Sequence, residues 1–218
     1  WGDLKNNNKL SNTCVHRHDV DSDLKTAKAI FEIERKHGVK STFYFRLSTL
    51  DVDFMRDIER FGGEASYHYE ELSTYAKTHH IKNKQSLLAK MSFIKGEFSR
   101  NLESIRNETG LPCSTVAAHG DFVNRKLGLA NTLVLEGADF RRENRVELES
   151  YDDELMRHFD FRISDKPFPE IWSPISPIQA MQNGFSNIYL LTHPRQWRRS
   201  FIANTYQNLT RIGEGLRW

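Results

Sequence analysis

Four short runs of β-branched, aromatic or small residues in this sequence each end in histidine, and that recurrence constrains the chain more than its composition does. Thr13-Cys14-Val15 leads into His16-Arg17-His18-Asp19-Val20-Asp21, and Glu64-Ala65-Ser66-Tyr67 into His68-Tyr69-Glu70-Glu71. Ser114-Thr115-Val116-Ala117-Ala118 leads into His119-Gly120, and Asn187-Ile188-Tyr189-Leu190-Leu191-Thr192 into His193-Pro194. Such runs read as strands, and Ser41-Thr42-Phe43-Tyr44-Phe45 is another. Helical patterns separate them. Leu24, Ala27, Ile30, Phe31 and Ile33 recur at helical spacing up to a His37-Gly38 stop, and Asp51 can cap a helix carrying Val52, Met55 and Ile58 that stops at Gly62-Gly63. Strands alternating with helices define an α/β chain with a mainly parallel sheet or barrel. In a parallel barrel the C-terminal strand ends meet on one rim, where active sites are built. The histidines therefore converge.

The rest of the chain is expected to follow the same alternation. A long helix is read from Lys84 to Glu108, its buried stripe being Leu87, Leu88, Met91, Ile94, Phe98, Leu102 and Ile105. A helix near Leu127 to Leu135, a short strand Ala138-Asp139-Phe140, a strand Phe159 to Ile163 and a C-terminal helix over 199–212 complete the reading. Glu143 to Pro177 is charged and proline-rich, and reads as long connections over one face. Nothing resembles a linker or an internal repeat, so one domain over 1–218 is expected, with its core at about 13–212.

Composition excludes some functions. Thirty-one Lys plus Arg against 29 Asp plus Glu leave a net charge of +2, which gives no nucleic-acid footprint. The densest basic run, Arg195 to Arg199, reads as a solvated face. No stretch approaches the roughly 18 apolar residues of a membrane span. The first eight residues show no basic-then-apolar leader, so a cytoplasmic protein is expected. Cys14 and Cys113 lack metal-site spacing and read as free, buried thiols.

Carboxylates and imidazoles gathered on one rim suit a divalent metal, zinc above all, with a position left open for water. Zinc brings the pKa of bound water to about 7, a further carboxylate can act as base, and a histidine across the site can protonate a leaving group.

Taken in order, Arg17-His18-Asp19-Val20-Asp21, Ser41 to Phe45, Tyr67-His68-Tyr69-Glu70-Glu71-Leu72, Ala118-His119-Gly120 and Leu191-Thr192-His193-Pro194 resemble the NodB-homology polysaccharide deacetylases of carbohydrate esterase family four. The resemblance covers roughly Val15 to Trp197. It implies a distorted (β/α) barrel, usually of seven strands, and metal-assisted removal of an N-acetyl group from an amino sugar, in surface-polysaccharide (lipopolysaccharide) biosynthesis or modification. By position, Asp19 matches the family's catalytic base, Asp21 its metal-binding Asp, His68 its first metal His and His193 its general acid. Asp165 and Trp172 stand for the loop that supplies an acid partner to that His and an aromatic wall.

The departures are specific. Leu72 occupies the place of the family's second metal His, so Glu70, Glu71 or His119 must replace it, unless His119 holds substrate. Arg17 can orient Asp19, since both lie on one face if the strand persists that far. Tyr69, Glu70, Trp172 and Asn124 are the substrate-binding candidates, and Glu71 is counted with Asp21, His68 and His119 as a metal ligand.

Structural alternatives compete with these roles. Asp19 and Asp21 could belong to a helix-capping cluster, although Ser22 or Asp23 suffices for that. Glu70 and Glu71 could be an acidic first helical turn. Two other functions stay open: an amidohydrolase-like metal enzyme using His16-Arg17-His18 as an H-x-H ligand pair, and a carbohydrate-binding protein that kept the fold and lost the metal.

Overall fold

The first strand, β1 (Thr13–Val20), extends past the expected end at His18 and so carries Arg17 and Asp19 on one face. Residues 12–198, Thr205, Leu209, Gly213 and Trp218 are described by this structure, a computed structural model. The expected helix over 199–212 lies almost wholly outside them. After β1 come α1 (Leu24–Lys36), β2 (Thr42–Phe45), α2 (Val52–Phe61), β3 (Glu64–Tyr69), α3 (Glu71–Thr78), α4 (Lys84–Leu88) and α5 (Met91–Thr109). Then follow β4 (Thr115–Ala118), α6 (Phe122–Leu127), α7 (Ala138–Glu143), β5 (Leu148–Glu149), α8 (Asp153–Met156), β6 (Phe161–Asp165), β7 (Trp172–Ser173), α9 (Pro177–Gln182) and β8 (Asn187–Thr192).

Among the described residues the eight strands form one sheet in the order β5-β4-β3-β2-β1-β8-β6-β7. Every neighbouring pair is parallel except β6 with the two-residue β7. Seven parallel strands are thus the expected number, and β7 is an added antiparallel edge. The terminal strands β5 and β7 are not neighbours in this order, so the barrel is distorted and open.

Alternation gives the sheet two chemically different faces. His18, Phe43 and Ala65 point outward with Val20, Phe45 and Tyr67, toward the helices. There Phe31 of α1 meets Phe43 and Phe54 edge-on, at 6.1 and 5.5 Å between ring centres. Met55, Ile58, Ile94, Phe98, Leu102 and Ile105 are buried on the same side. Each such side chain contributes about 1.5–3 kcal/mol by leaving water, which anchors the outer layer. The inner face holds Arg17, Asp19, Tyr44, Ser66 and His68.

Local chemistry sets the ends of the elements. Asp23 caps α1 through its bond from the Thr26 amide, and Asp51 caps α2. Gly62 ends α2 in the left-handed region, and Gly63 follows where a Cβ would lie 2.8 Å from the Ser41 carbonyl. Four expectations are corrected. The long helix breaks after Leu88, separating α4 from α5. The helix near Leu127 to Leu135 is α6, stopped by a left-handed Gly128, followed by a 3₁₀ turn at Asn131–Leu135. Ala138 to Phe140 is helical, because the segment continues into Arg141 and Arg142 as a last turn complementary to the dipole. Cys14 is exposed, near the start of β1, whereas Cys113 is buried; both are free.

Candidate active site and metal centre

Arg17 is the centre of the inner face. Its guanidinium is about 1% exposed and donates from Nη2 to Asp19 Oδ2 at 2.7 Å and to the Tyr151 hydroxyl at 2.7 Å. Nη1 donates to the Tyr189 hydroxyl at 3.1 Å, and the Tyr151 ring lies 4.4 Å from the guanidinium carbon. Burial alone would push the Asp19 carboxyl up, but the charges of Arg17, His68 and His193 hold it below the ordinary range. Asp19 therefore stays ionised, with one oxygen clamped and Oδ1 without a hydrogen bond. A cavity of about 250 Å³, lined in part by Arg162, Ser164 and Lys166, shares Tyr151 and Tyr189 with this clamp.

Two residues on, past the end of β1, Asp21 faces His68 and His119. Its Oδ1 lies 3.4 Å from His68 Nε2 and 3.5 Å from His119 Nε2. His68 Nδ1 donates to the Ala117 carbonyl at 3.0 Å, which fixes its tautomer. In the neutral ring the Nε2 lone pair then points at Asp21 and, at 3.6 Å, at Asp19 Oδ2. Asp21 Oδ1 is buried with no hydrogen bond. Lone pairs facing one another in a buried site are repulsive, and a positive charge relieves the repulsion, either a proton on an imidazole or a metal cation among the ligand atoms. On this ground Asp21, His68 and His119 fit a divalent metal, and their ligand atoms lie within 4.8 Å of one another.

The supporting contacts have the form that metal sites require. His119 Nδ1 lies 3.4 Å from Glu70 Oε2, while Arg46 grips Glu70 through two bonds of 2.8 Å and donates to the Asp21 carbonyl at 3.0 Å. Arg195 Nε lies 3.6 Å from Asp21 Oδ2. Against desolvation, which would raise it, His68, His119 and His193 hold the Asp21 carboxyl far below the usual range. Glu70, His119 and Asp121 also lie close together, but Lys77 binds Asp121 at 2.7 Å and Asp121 caps α6.

The last strand supplies a third element. His193 Nδ1 donates to Asp165 Oδ1 at 2.7 Å and its backbone amide donates to Oδ2 at 2.7 Å, with Trp197 Nε1 adding a bond of 3.0 Å. Although burial opposes it, Asp165 together with the charges of Asp19 and Asp21 raises the pKa of His193. Its Nε2 remains for proton transfer. Trp172 lies opposite Asp165 in the β6–β7 pair and packs on Trp197 at 5.2 Å.

Asp19, Asp21, His68, His119, His193, Arg17 and Asp165 thus gather as the sequence predicts, while other candidates do not. Glu71 opens α3 and turns away from Asp21, His68 and His119, accepting from Tyr67 and from Asn101 at 2.9 Å, and burial raises its pKa. Tyr69 alternates with His68 and so points outward, fully buried against Phe98. Asn124 completes the Asp121 capping box and bonds the Leu129 carbonyl, leaving it no substrate role. Glu70 is held by Arg46 and His119 rather than facing substrate. Leu72 is core, and it is His119 that lies with Asp21 and His68. His16 and His18 lie on the outer face beside Glu34, apart from Asp21, His68 and His119, so the H-x-H pair does not join this centre. The basic run is not simply solvated, because Arg195 and Arg198 reach Asp21 and Asp23. Arg46, Tyr151 and Tyr189 carried no motif; their only signal is their chemistry.

No family model and no curated protein matches the chain. Among solved structures it is similar to the catalytic domain of peptidoglycan N-acetylglucosamine deacetylase from Eubacterium rectale, at 14% identity over 94% of this chain and 86% of that one, with a TM-score of 0.50. It is also similar to the chitin deacetylase of Colletotrichum lindemuthianum, at 13% identity over 94% and 84%, TM-score 0.43. A carbohydrate esterase family four pseudoenzyme from Bacillus anthracis shares 15% identity over 84% of this chain, TM-score 0.48, and this chain spans 55% of that one. The likeness to the Eubacterium rectale domain shows the fold, the distorted barrel of the NodB-like polysaccharide deacetylases. Among the described residues no helix is long and apolar enough to cross a membrane.

Proposed function

We propose that this chain is a metal-dependent hydrolase that removes the acetyl group from an N-acetylated amino sugar. The observation that carries this is the placement, on one rim, of a clamped carboxylate (Asp19), a cation cradle (Asp21, His68, His119) and a carboxylate-backed imidazole (His193–Asp165). A zinc ion in that cradle supplies Lewis-acid polarisation of the acetyl carbonyl and a lowered pKa for the attacking water. Asp19 accepts the attacking water's proton on its free oxygen, Oδ1, and Arg17 fixes the carboxylate through Oδ2. His193 gives its proton to the departing amine, so the C–N bond breaks to acetate and the free amino sugar. Trp172, beside the His193–Asp165 pair, offers an aromatic face to a sugar ring.

Acetate release from N-acetylglucosamine oligosaccharides tests the reading. Zinc-loaded protein is expected to release acetate, to stop after chelation and to recover with zinc. A zinc-loaded protein that binds these sugars and releases no acetate would instead be the binding protein of the same fold.

The Asp165–His193 pair adds a pH prediction. Asp165 raises the pKa of His193, so the protonated acid persists to higher pH. Asp165→Asn removes that support, and the alkaline limb of kcat/KM is expected to move to lower pH by about one unit, the scale of a single close charge. An unmoved limb would detach His193 from the proton-donor role.

A further inference from the structure

On the outer face of β1, across the sheet from Asp19 and His68, a second polar cluster is buried. Glu34 of α1 presents Oε1 to two imidazoles at once, His16 Nδ1 at 3.0 Å and His18 Nε2 at 2.9 Å. Its other oxygen accepts from the Ser41 hydroxyl at 2.6 Å. The remaining ring nitrogens both meet Thr192 Oγ1, His16 Nε2 at 3.1 Å and His18 Nδ1 at 2.7 Å. The two rings lie 4.1 Å apart.

Counting protons exposes a conflict. If both imidazoles donate to Glu34, their other nitrogens are acceptors, and the single Thr192 proton serves only one of them. The second contact is satisfied if the network carries an additional proton, on an imidazole or on Glu34, or if a cation replaces the protons at Glu34. With a cation, each ring keeps its hydrogen on the nitrogen facing Thr192, whose oxygen accepts two bonds. His16 Nδ1, His18 Nε2 and Glu34 Oε1 then all present lone pairs to one point.

We propose that His16, His18 and Glu34 form a second divalent-metal site, of the zinc type, that ties β1 to α1. Two histidines and a carboxylate are a common zinc donor set. Thr192 and Ser41 hold the non-ligating atoms, the outer arrangement that orients metal-binding imidazoles and carboxylates. The ligand separations of 2.9 and 3.0 Å are a few tenths short of the about 3.3 Å edge around a tetrahedral zinc at about 2.0–2.1 Å, a small expansion. His16 is about one-fifth exposed, which gives the ion a way in. The site shares no residue with Asp21, His68 and His119, so it does not depend on the proposed hydrolysis.

Equilibrium dialysis of the full chain against zinc, followed by metal analysis, tests it. Wild type is expected to hold two equivalents, Glu34→Gln and Asp21→Asn one each, and the double variant none. Zinc is also expected to raise the Tm of Asp21→Asn and not that of the double variant. His16→Gln, at a less buried position, serves as the second variant if Glu34→Gln does not fold. A single equivalent in wild type that survives Glu34→Gln and disappears in Asp21→Asn overturns this site, leaving the network to hold a proton. A single equivalent with the opposite behaviour keeps it and removes the metal from the reaction centre. No bound zinc in wild type overturns both.

Discussion

Asp19→Asn is expected to lower the rate of acetate release by about 10²–10⁴-fold, the usual loss when a general base is removed. The substitution keeps the shape of the side chain and an oxygen that can still accept from Arg17, but takes away the group that receives the water's proton. Asp21, His68 and His119 are untouched, so bound zinc in this centre is expected to remain. The measurement is steady-state acetate release with zinc in excess, together with metal content. A variant that keeps near-wild-type turnover would remove Asp19 from the chemistry and leave the clamp as a purely structural device.

Arg17→Leu is expected to act on the fold itself, at about 3–5 kcal/mol, because it leaves Asp19 as a buried charge without its partner. Both side chains are almost wholly shielded from water, and Arg17 also holds the hydroxyls of Tyr151 and Tyr189. Urea unfolding gives the size of the loss. Combining Arg17→Leu with Asp19→Asn removes the stranded charge, so the double variant is expected to be more stable than Arg17→Leu alone, a non-additivity that a mere packing defect does not produce. A loss below about 1 kcal/mol for Arg17→Leu would place this pair among the weakly contributing exposed ones.

What could be read from the sequence follows strand periodicity. Asp19 and Arg17 share a face because a strand alternates, and His68, His119 and His193 meet because parallel strand ends meet. The same alternation places Tyr69 opposite His68, so its burial was legible in the letters around it. Asn124 was legible too, since Asp121 three residues earlier spells a capping box. Glu71 was not, because its direction depends on where α3 begins, and helix starts are local decisions that distant packing can move. Arg46, Tyr151 and Arg195 come from connections whose course no periodicity encodes. Short runs such as Ala138 to Phe140 fit a strand or a helix equally until their neighbours settle the matter.

The place of β8 has a consequence for how the molecule is made. This strand is synthesised after the other seven, yet it lies between β1 and β6. Until it emerges from the ribosome, β1 and β6 each expose an unpaired backbone edge, the kind of surface that recruits other chains. His193, just past its end, also arrives late, separated from Asp19 by most of the sequence. Completing the sheet and bringing His193 to Asp19 are therefore a single closing event, and on the proposed roles no hydrolytic centre exists before that moment.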